Sequence, residues 1–301
     1  MSQKTISLIG VPVDLGQSRR GVDMGPSAIR YAHVKDVMKA LNYQVIDLGD
    51  LTVSNDLDEK DVGQQNLHNL YQIIYENKKL AKIVDREVSE SRFPLILGGD
   101  HSISIGSIAG IAKHYENLGV IWYDAHGDLN TDQTSPSGNI HGMSLAANLG
   151  FGDKQLTTIL DYTPKVNPEN VVIIGARCLD PGEKELIRRE KIKVFTMQEV
   201  DRLGMPAIMQ EAIDYLKPRT DGVHLSLDLD ALDPTEVPGV GTPVIGGLTY
   251  RESHLAMEML AESNIVTSAE FVEVNPILDV KNKTAQVAVE LIGSLLGKNL
   301  L

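Results

Sequence analysis

The chain has 301 residues, of which 42% are hydrophobic and 23% charged, a composition that provides for a sizeable globular core. A formal net charge of −13 leaves no basic footprint for nucleic acid or for an anionic membrane surface, while remaining compatible with a cationic ligand. The single cysteine, Cys178, excludes an intramolecular disulfide.

The opening Met1-Ser2-Gln3-Lys4 runs straight into an apolar segment, without a charged leader, a long apolar region and a cleavage site. No apolar stretch is long enough to span a bilayer, so the expected location is cytoplasmic. In chain order, residues 6–11 predict a strand and residues 26–41 a helix. Pro26 suits a helix start, because its missing N–H would have no intrahelical partner there. A strand over 44–48, an acidic surface loop over 55–61 and a helix over 67–89 follow. Next come a strand at 95–97, a helix at 103–115 and a strand at 120–124. The second half predicts strands at 171–174, 193–196, 223–228 and 266–272, with helices at 182–191, 205–216, 250–262 and 284–296. Several of these strands are almost wholly apolar, as expected when helices cover both faces. The alternation predicts one α/β domain over residues 1–301, a three-layer α/β/α fold with a mainly parallel, eight-stranded sheet. Ligands of such sheets sit beyond the C-terminal strand ends.

Three strand ends finish in residues that apolar packing does not explain. One runs into Gly98-Gly99-Asp100-His101-Ser102, another into Asp124-Ala125-His126-Gly127-Asp128, and a third into Asp228-Leu229-Asp230 with Asp233-Pro234. Side chains two apart on a strand share a direction, which aligns Asp124 with His126 and Asp228 with Asp230; Asp128 joins them if the extended geometry persists. If the strands are neighbours, four carboxylates and two imidazoles converge. So many like charges need a cation, and two ions sharing bridging carboxylates is the economical arrangement. Oxygen donors with a minority of imidazoles and no thiolate favour Mn²⁺; zinc and iron also remain compatible, whereas Mg²⁺ takes fewer protein ligands.

These blocks resemble the ureohydrolase family and, within it, the arginases. Gly241-Thr242-Pro243, Gly246-Gly247-Leu248-Thr249-Tyr250-Arg251-Glu252, Glu273-Val274-Asn275-Pro276 and the opening segment from Gly16-Gln17 to Gly25-Pro26 resemble it too. The resemblance implies hydrolysis of L-arginine to L-ornithine and urea by a hydroxide shared between two Mn²⁺ ions. One ion would be held by His101, Asp124, Asp128 and Asp228, the other by His126, Asp124, Asp228 and Asp230. It also implies that Glu273 faces the guanidinium, steadied by Thr242, and that His141 shuttles protons at the leaving amine. Asn130, Ser135 and Ser137 would hold the α-carboxylate, and Asp180 and Glu183 would read the α-amino group. Where many arginases carry Thr, this chain has Ser135, followed by Pro136. The implied assembly is a homohexamer of two trimers.

Agmatinase or another guanidino- or formimino-hydrolase is the nearest rival; it would keep the metal ligands and lose the carboxylate-reading loop. A binuclear phosphoesterase would need a phosphate-binding loop, which this acidic chain does not offer. A non-catalytic metal-binding regulator would normally have lost ligands, and all six are present.

Overall fold

Apolar runs from the whole length of the chain pair into a single sheet. In the computed structural model, which describes residues 5–54 and 66–299, the strands are β1 (Thr5–Val11), β2 (Gln44–Asp50), β3 (Phe93–Gly98) and β4 (Leu118–Tyr123), followed by β5 (Val171–Ala176), β6 (Lys193–Thr196), β7 (Gly222–Asp228) and β8 (Val266–Val272). They lie in the order β2-β1-β3-β8-β7-β4-β5-β6, and every pair is parallel. The expected α/β architecture is therefore present, and the loop expected at 55–61 lies outside the described residues. Among those residues no helix is long and apolar enough to cross a membrane.

The helices are α1 (Gly25–Tyr31), α2 (Val34–Ala40), α3 (Leu70–Ser89), α4 (Ser104–Ala112), α5 (Ser144–Asn148) and α6 (Lys154–Thr157). After them come α7 (Pro181–Glu190), α8 (Met197–Leu203), α9 (Met205–Leu216), α10 (Tyr250–Ser263) and α11 (Lys283–Leu295). Strand alternation divides the interior into two layers. Ile6 and Leu8 of β1 pack with Ile29 of α1, Met209 of α9, Leu260 of α10 and Ile292 of α11. Ile9 and Val11 face the other way, into the layer of Leu80 from α3, Ile108 from α4 and Leu186 from α7. Each such side chain contributes about 1.5–3 kcal/mol through burial, which makes the sheet a rigid platform.

Local chemistry sets the helix ends. Asp180 with Glu183, Thr196 with Glu199, and Thr249 with Glu252 form reciprocal capping boxes on α7, α8 and α10. The helix expected over 26–41 is instead two, because His33 takes a left-handed conformation with φ 69°. In one straight helix Val34 would point well away from Ile29 at 3.6 residues per turn. The break turns α2 so that Ile29, Val34 and Met38 enter the same core. Asn69, at φ 56°, likewise delays α3 to Leu70. Helix α8 is an addition that periodicity did not reveal.

One stretch of sheet departs from apolar packing. On β7, Val223, Leu225 and Leu227 join one core layer, while the alternate residues are His224, Ser226 and Asp228, all buried. The register pairs His224 with Ser268 and Ser226 with Glu270 on β8.

Candidate active site

Strands β3, β8, β7 and β4 are consecutive neighbours in the sheet, and the residues of interest follow their C-terminal ends. At β3 the chain must pass close to the end of β1: a Cβ on Gly99 would lie 1.8 Å from the Val13 carbonyl oxygen. With none there, the Gly99 and Asp100 N–H groups donate to the carbonyls of Val11 and Val13 at 2.8 and 2.7 Å. Asp100 then accepts from the backbone of Ser102 at 2.9 Å and Gly16 at 2.8 Å, and the tight turn delivers His101 inward. After β4, Asp124 accepts from the His126 N–H at 2.7 Å. At the end of β7, Asp228 accepts from the Asp230 N–H at 2.7 Å.

These turns correct the expected route to the cluster. Extended geometry does not persist, since Asp128 has φ 49° and Asp230 sits in a short 3-10 turn. The side chains converge through turns whose own carboxylates cap them. All six expected ligands are brought together. His101 Nδ1 stands 3.1 Å from Asp124 Oδ2, 3.1 Å from Asp128 Oδ2 and 3.4 Å from Asp228 Oδ2. His126 Nδ1 is 3.1 Å from Asp230 Oδ2 and 3.4 Å from Asp124 Oδ1. Two ligand groups result, His101-Asp124-Asp228 and Asp124-His126-Asp230, each with its donor atoms within 4.8 Å of one another. Asp124 is common to both.

The donor set fits a cation. His101 Nδ1 is buried without a hydrogen bond, although three carboxylate oxygens face it. Burial pushes up the carboxyls of Asp128, Asp228 and Asp230, and neighbouring carboxylates, Asp124 foremost among those shared by all three, add to the rise. Burial also opposes charge on His101 and His126, yet the surrounding carboxylates outweigh it and hold both imidazoles above their usual range. Asp124 alone of the four carboxyls is held below its usual range, against burial, by the two imidazoles. Divalent ions would supply positive charge without protons.

Several further residues support the cluster. Trp122 stacks on His101 with ring centroids 4.1 Å apart, and its indole N–H donates to Asp124 at 3.0 Å. His101 Nε2 meets Ser226 Oγ at 2.7 Å. Glu273, in the left-handed region at φ 66°, is fully buried. It accepts from Gln17 Nε2 at 2.7 Å and from the His101 N–H at 3.0 Å, and it meets His141 Nδ1 at 3.0 Å. The expectation that Thr242 steadies Glu273 is not met. Thr242 Oγ1 donates to Asp230 Oδ2 at 2.9 Å, and Gln17, reaching across from the loop after β1, has the place beside Glu273. The only sequence signal for Gln17 was its position in the opening block.

A cavity of about 280 Å³ opens over the cluster, lined by His126, Asp128, His141, Asp228 and Thr242 together with Asn130, Ser135, Ser137, Asp180 and Glu183. Cys178 also lines it. Asn130 donates to Asp180 Oδ2 at 2.8 Å. Ser135 Oγ accepts from the Gly138 N–H at 3.0 Å and Ser137 Oγ from the Asn139 N–H at 3.2 Å, which leaves each hydroxyl proton free to donate into the cavity. Glu183 accepts from the Leu129 and Asp180 N–H groups at 3.0 and 2.7 Å, so its carboxylate also ties the loop to the start of α7. Burial pushes its pKa up to about 7 against those two bonds.

Carboxylates and imidazoles gathered beyond the C-terminal edge of a parallel sheet, beside a polar cavity, make a site that could hold metal ions in an α/β/α fold. The arginase family model matches residues 4–297. The arginase of Bacillus caldovelox is 66% identical over 298 residues, covering 99% of this chain and all of that protein. Its native structure at pH 5.6 superposes with a TM-score of 0.97 at 66% identity, over 99% of this chain and 100% of that chain. The arginase of Bacillus subtilis strain 168 is 62% identical over 298 residues, 99% of each. The arginase of Entamoeba histolytica in complex with L-ornithine is 31% identical, with a TM-score of 0.88 over 99% of this chain and 100% of that one. The chain belongs to the arginase family and is a hydrolase.

Proposed function

We propose that this enzyme hydrolyses L-arginine to L-ornithine and urea at a pair of Mn²⁺ ions. The observation that carries the reading is one cavity lined both by members of the proposed cation cluster and by the polar side chains of Asn130, Ser135, Ser137, Asp180 and Glu183. One ion would be held by His101, Asp124, Asp128 and Asp228, the second by His126, Asp124, Asp228 and Asp230. When bound, the ions supply a nucleophilic water at mild pH and positive charge where negative charge develops.

The chain's own residues do the rest. Asp180 and Glu183 line the cavity at the start of α7, where they can accept from an ammonium group. Asn130, Ser135 and Ser137 donate to the α-carboxylate, and Asp180 with Glu183 receives the α-amino group. Glu273 orients His141 by accepting from Nδ1, which leaves Nε2 to exchange protons. Burial disfavours the charged imidazole, but Glu273 overcomes this and raises its pKa to about 9. The Glu273 contact thus favours the protonated imidazole, the form that can act as an acid. As the C–N bond to the ornithine nitrogen breaks, that nitrogen takes the His141 proton, which solvent then restores. The homologous arginases support this substrate, and a cytoplasmic homohexamer completes the reading.

Agmatine, which lacks the α-carboxylate, provides the test. With it bound, each carboxylate-reading group left unpaired costs ~1–3 kcal/mol. The kcat/KM for urea release should favour L-arginine by on the order of 10³ or more, measured on both substrates below KM. Equal or faster agmatine turnover would assign the enzyme to agmatinase chemistry instead.

A further inference from the structure

Beneath the cluster, between β7, β8 and α4, lies a polar column that no catalytic step uses. His224, Ser226, Ser268, Glu270 and Ser107 are buried, and the strand register sets Ser226 beside Glu270 and His224 beside Ser268. Ser107 of α4 donates to Glu270 Oε2 at 2.5 Å and Ser226 to Oε1 at 2.7 Å. His224 Nε2 stands 3.3 Å from Oε1, and Nδ1 meets Ser268 at 2.9 Å. A carboxylate out of water is costly unless compensated. Burial pushes Glu270 up, but His224 and the hydrogen bonds hold it below the usual carboxylate range. This is a buried anion three residues from Glu273, and it does not touch the cavity.

Donor and acceptor accounting gives the column a direction. A carboxylate only accepts, so Ser226 donates its single O–H to Glu270. The 2.7 Å contact between Ser226 Oγ and His101 Nε2 must then be donated by the imidazole. In the neutral imidazole that a cation requires, a proton fixed at Nε2 leaves Nδ1 bare, and Nδ1 is the atom that faces Asp124, Asp128 and Asp228. We propose that Glu270 is a positioning residue that acts through Ser226 to fix His101 in its cation-binding tautomer and so tightens the ion site on the His101 side. Its negative charge also polarises the serine and imidazole in turn, which makes Nδ1 a stronger donor to metal. No hydrogen bond among the described residues carries the column to His126. The two ion sites therefore depend on it unequally.

The inference rests on the two-cation reading, and one measurement separates the two. Metal-stripped protein is titrated with Mn²⁺ by calorimetry, with free Mn²⁺ followed by electron paramagnetic resonance. Wild type, Glu270→Gln and Ser226→Ala are compared. Glu270→Gln keeps the side-chain shape and an acceptor but loses the charge. It should weaken one site by about 10–100-fold and leave the other little changed. Ser226→Ala cuts the link while Glu270 keeps Ser107 and His224; it should weaken the same site, and it decides the matter if Glu270→Gln does not fold. A merely structural role would lower the melting temperature of the metal-free protein and leave the ratio of the two affinities as in wild type. Unchanged or equally weakened sites overturn the relay while the two-cation reading stands; fewer than two Mn²⁺ bound by wild type overturns both.

Discussion

His141 and Glu273 are joined by a 3.0 Å contact, and the histidine also lines the cavity. Replacing it with Asn should slow turnover by ~10²-fold or more, as for loss of a positioned acid. KM should change much less, and added imidazole should restore part of the rate; unchanged turnover would reduce His141 to a loop residue. The same pair predicts a pH-dependent stability in metal-free protein. The folded pKa is about 9 against an ordinary value of 6.5, so the stabilisation is complete below the lower value and lost as pH rises through the higher. Urea denaturation of wild type and His141→Asn should differ most below about pH 6.5 and converge above about pH 9, the ends of that linkage window. At this scale the sequence was legible where chemistry sits in a motif, as with His101, Asp124 and Asp228. It was not legible where a residue matters through a long-range partner. Gln17 meets Glu273 across most of the chain, and Thr242 turned out to serve Asp230.

Strands and turns were read from a different signal. Apolar and β-branched runs located the eight strands of the sheet; the inner strands are nearly all buried, which leaves few polar positions, whereas the edge strands β2 and β6 are mostly half-buried or exposed. The order in which they pair was not legible, since parallel strands are joined through helices rather than by a turn that fixes the partner. Yet that order, β3-β8-β7-β4, is what makes the site. The polar positions alternating through His224, Ser226 and Asp228 stand in the sequence, but only Asp228, at the strand end, was read as a sign of function. Helix α1 ran on too far in the reading because a left-handed His33 has no periodic signature. The turn after β3 gives the element-level prediction. Gly99→Ala drives a methyl into the Val13 backbone, and overpacking of this kind costs typically ~1–3 kcal/mol. The loss should appear in urea denaturation, and it should be accompanied by weaker Mn²⁺ binding because the same turn aims His101. A variant with wild-type stability and metal affinity would show that the strand ends have room to spare.

For the molecule as a whole, cations should act as ligands of the folded state alone. Each occupied site adds on the order of 2.7 kcal/mol when free Mn²⁺ is 100-fold above its Kd. Calorimetric melting should therefore rise by several degrees on Mn²⁺ loading and fall on chelation. Chelation should also abolish urea release, and Mn²⁺ should restore it better than Mg²⁺ or Ca²⁺. Full urea release by exhaustively metal-free enzyme would remove the cations from the reaction.

Strand β8 (Val266–Val272) is the last strand in chain order, yet it lies between β3 and β7 near the middle of the sheet. On the ribosome, all six proposed ligands from His101 to Asp230 emerge before it. Until β8 slots in, the strand that delivers His101 and the strand that delivers Asp228 have no common neighbour to set their spacing. A nascent chain can thus display every ligand and still hold no ion pair, which makes metal capture a late event in synthesis. If the proposed ligands hold Mn²⁺, a message truncated before residue 266 would encode all six of them and still yield a protein that binds no Mn²⁺.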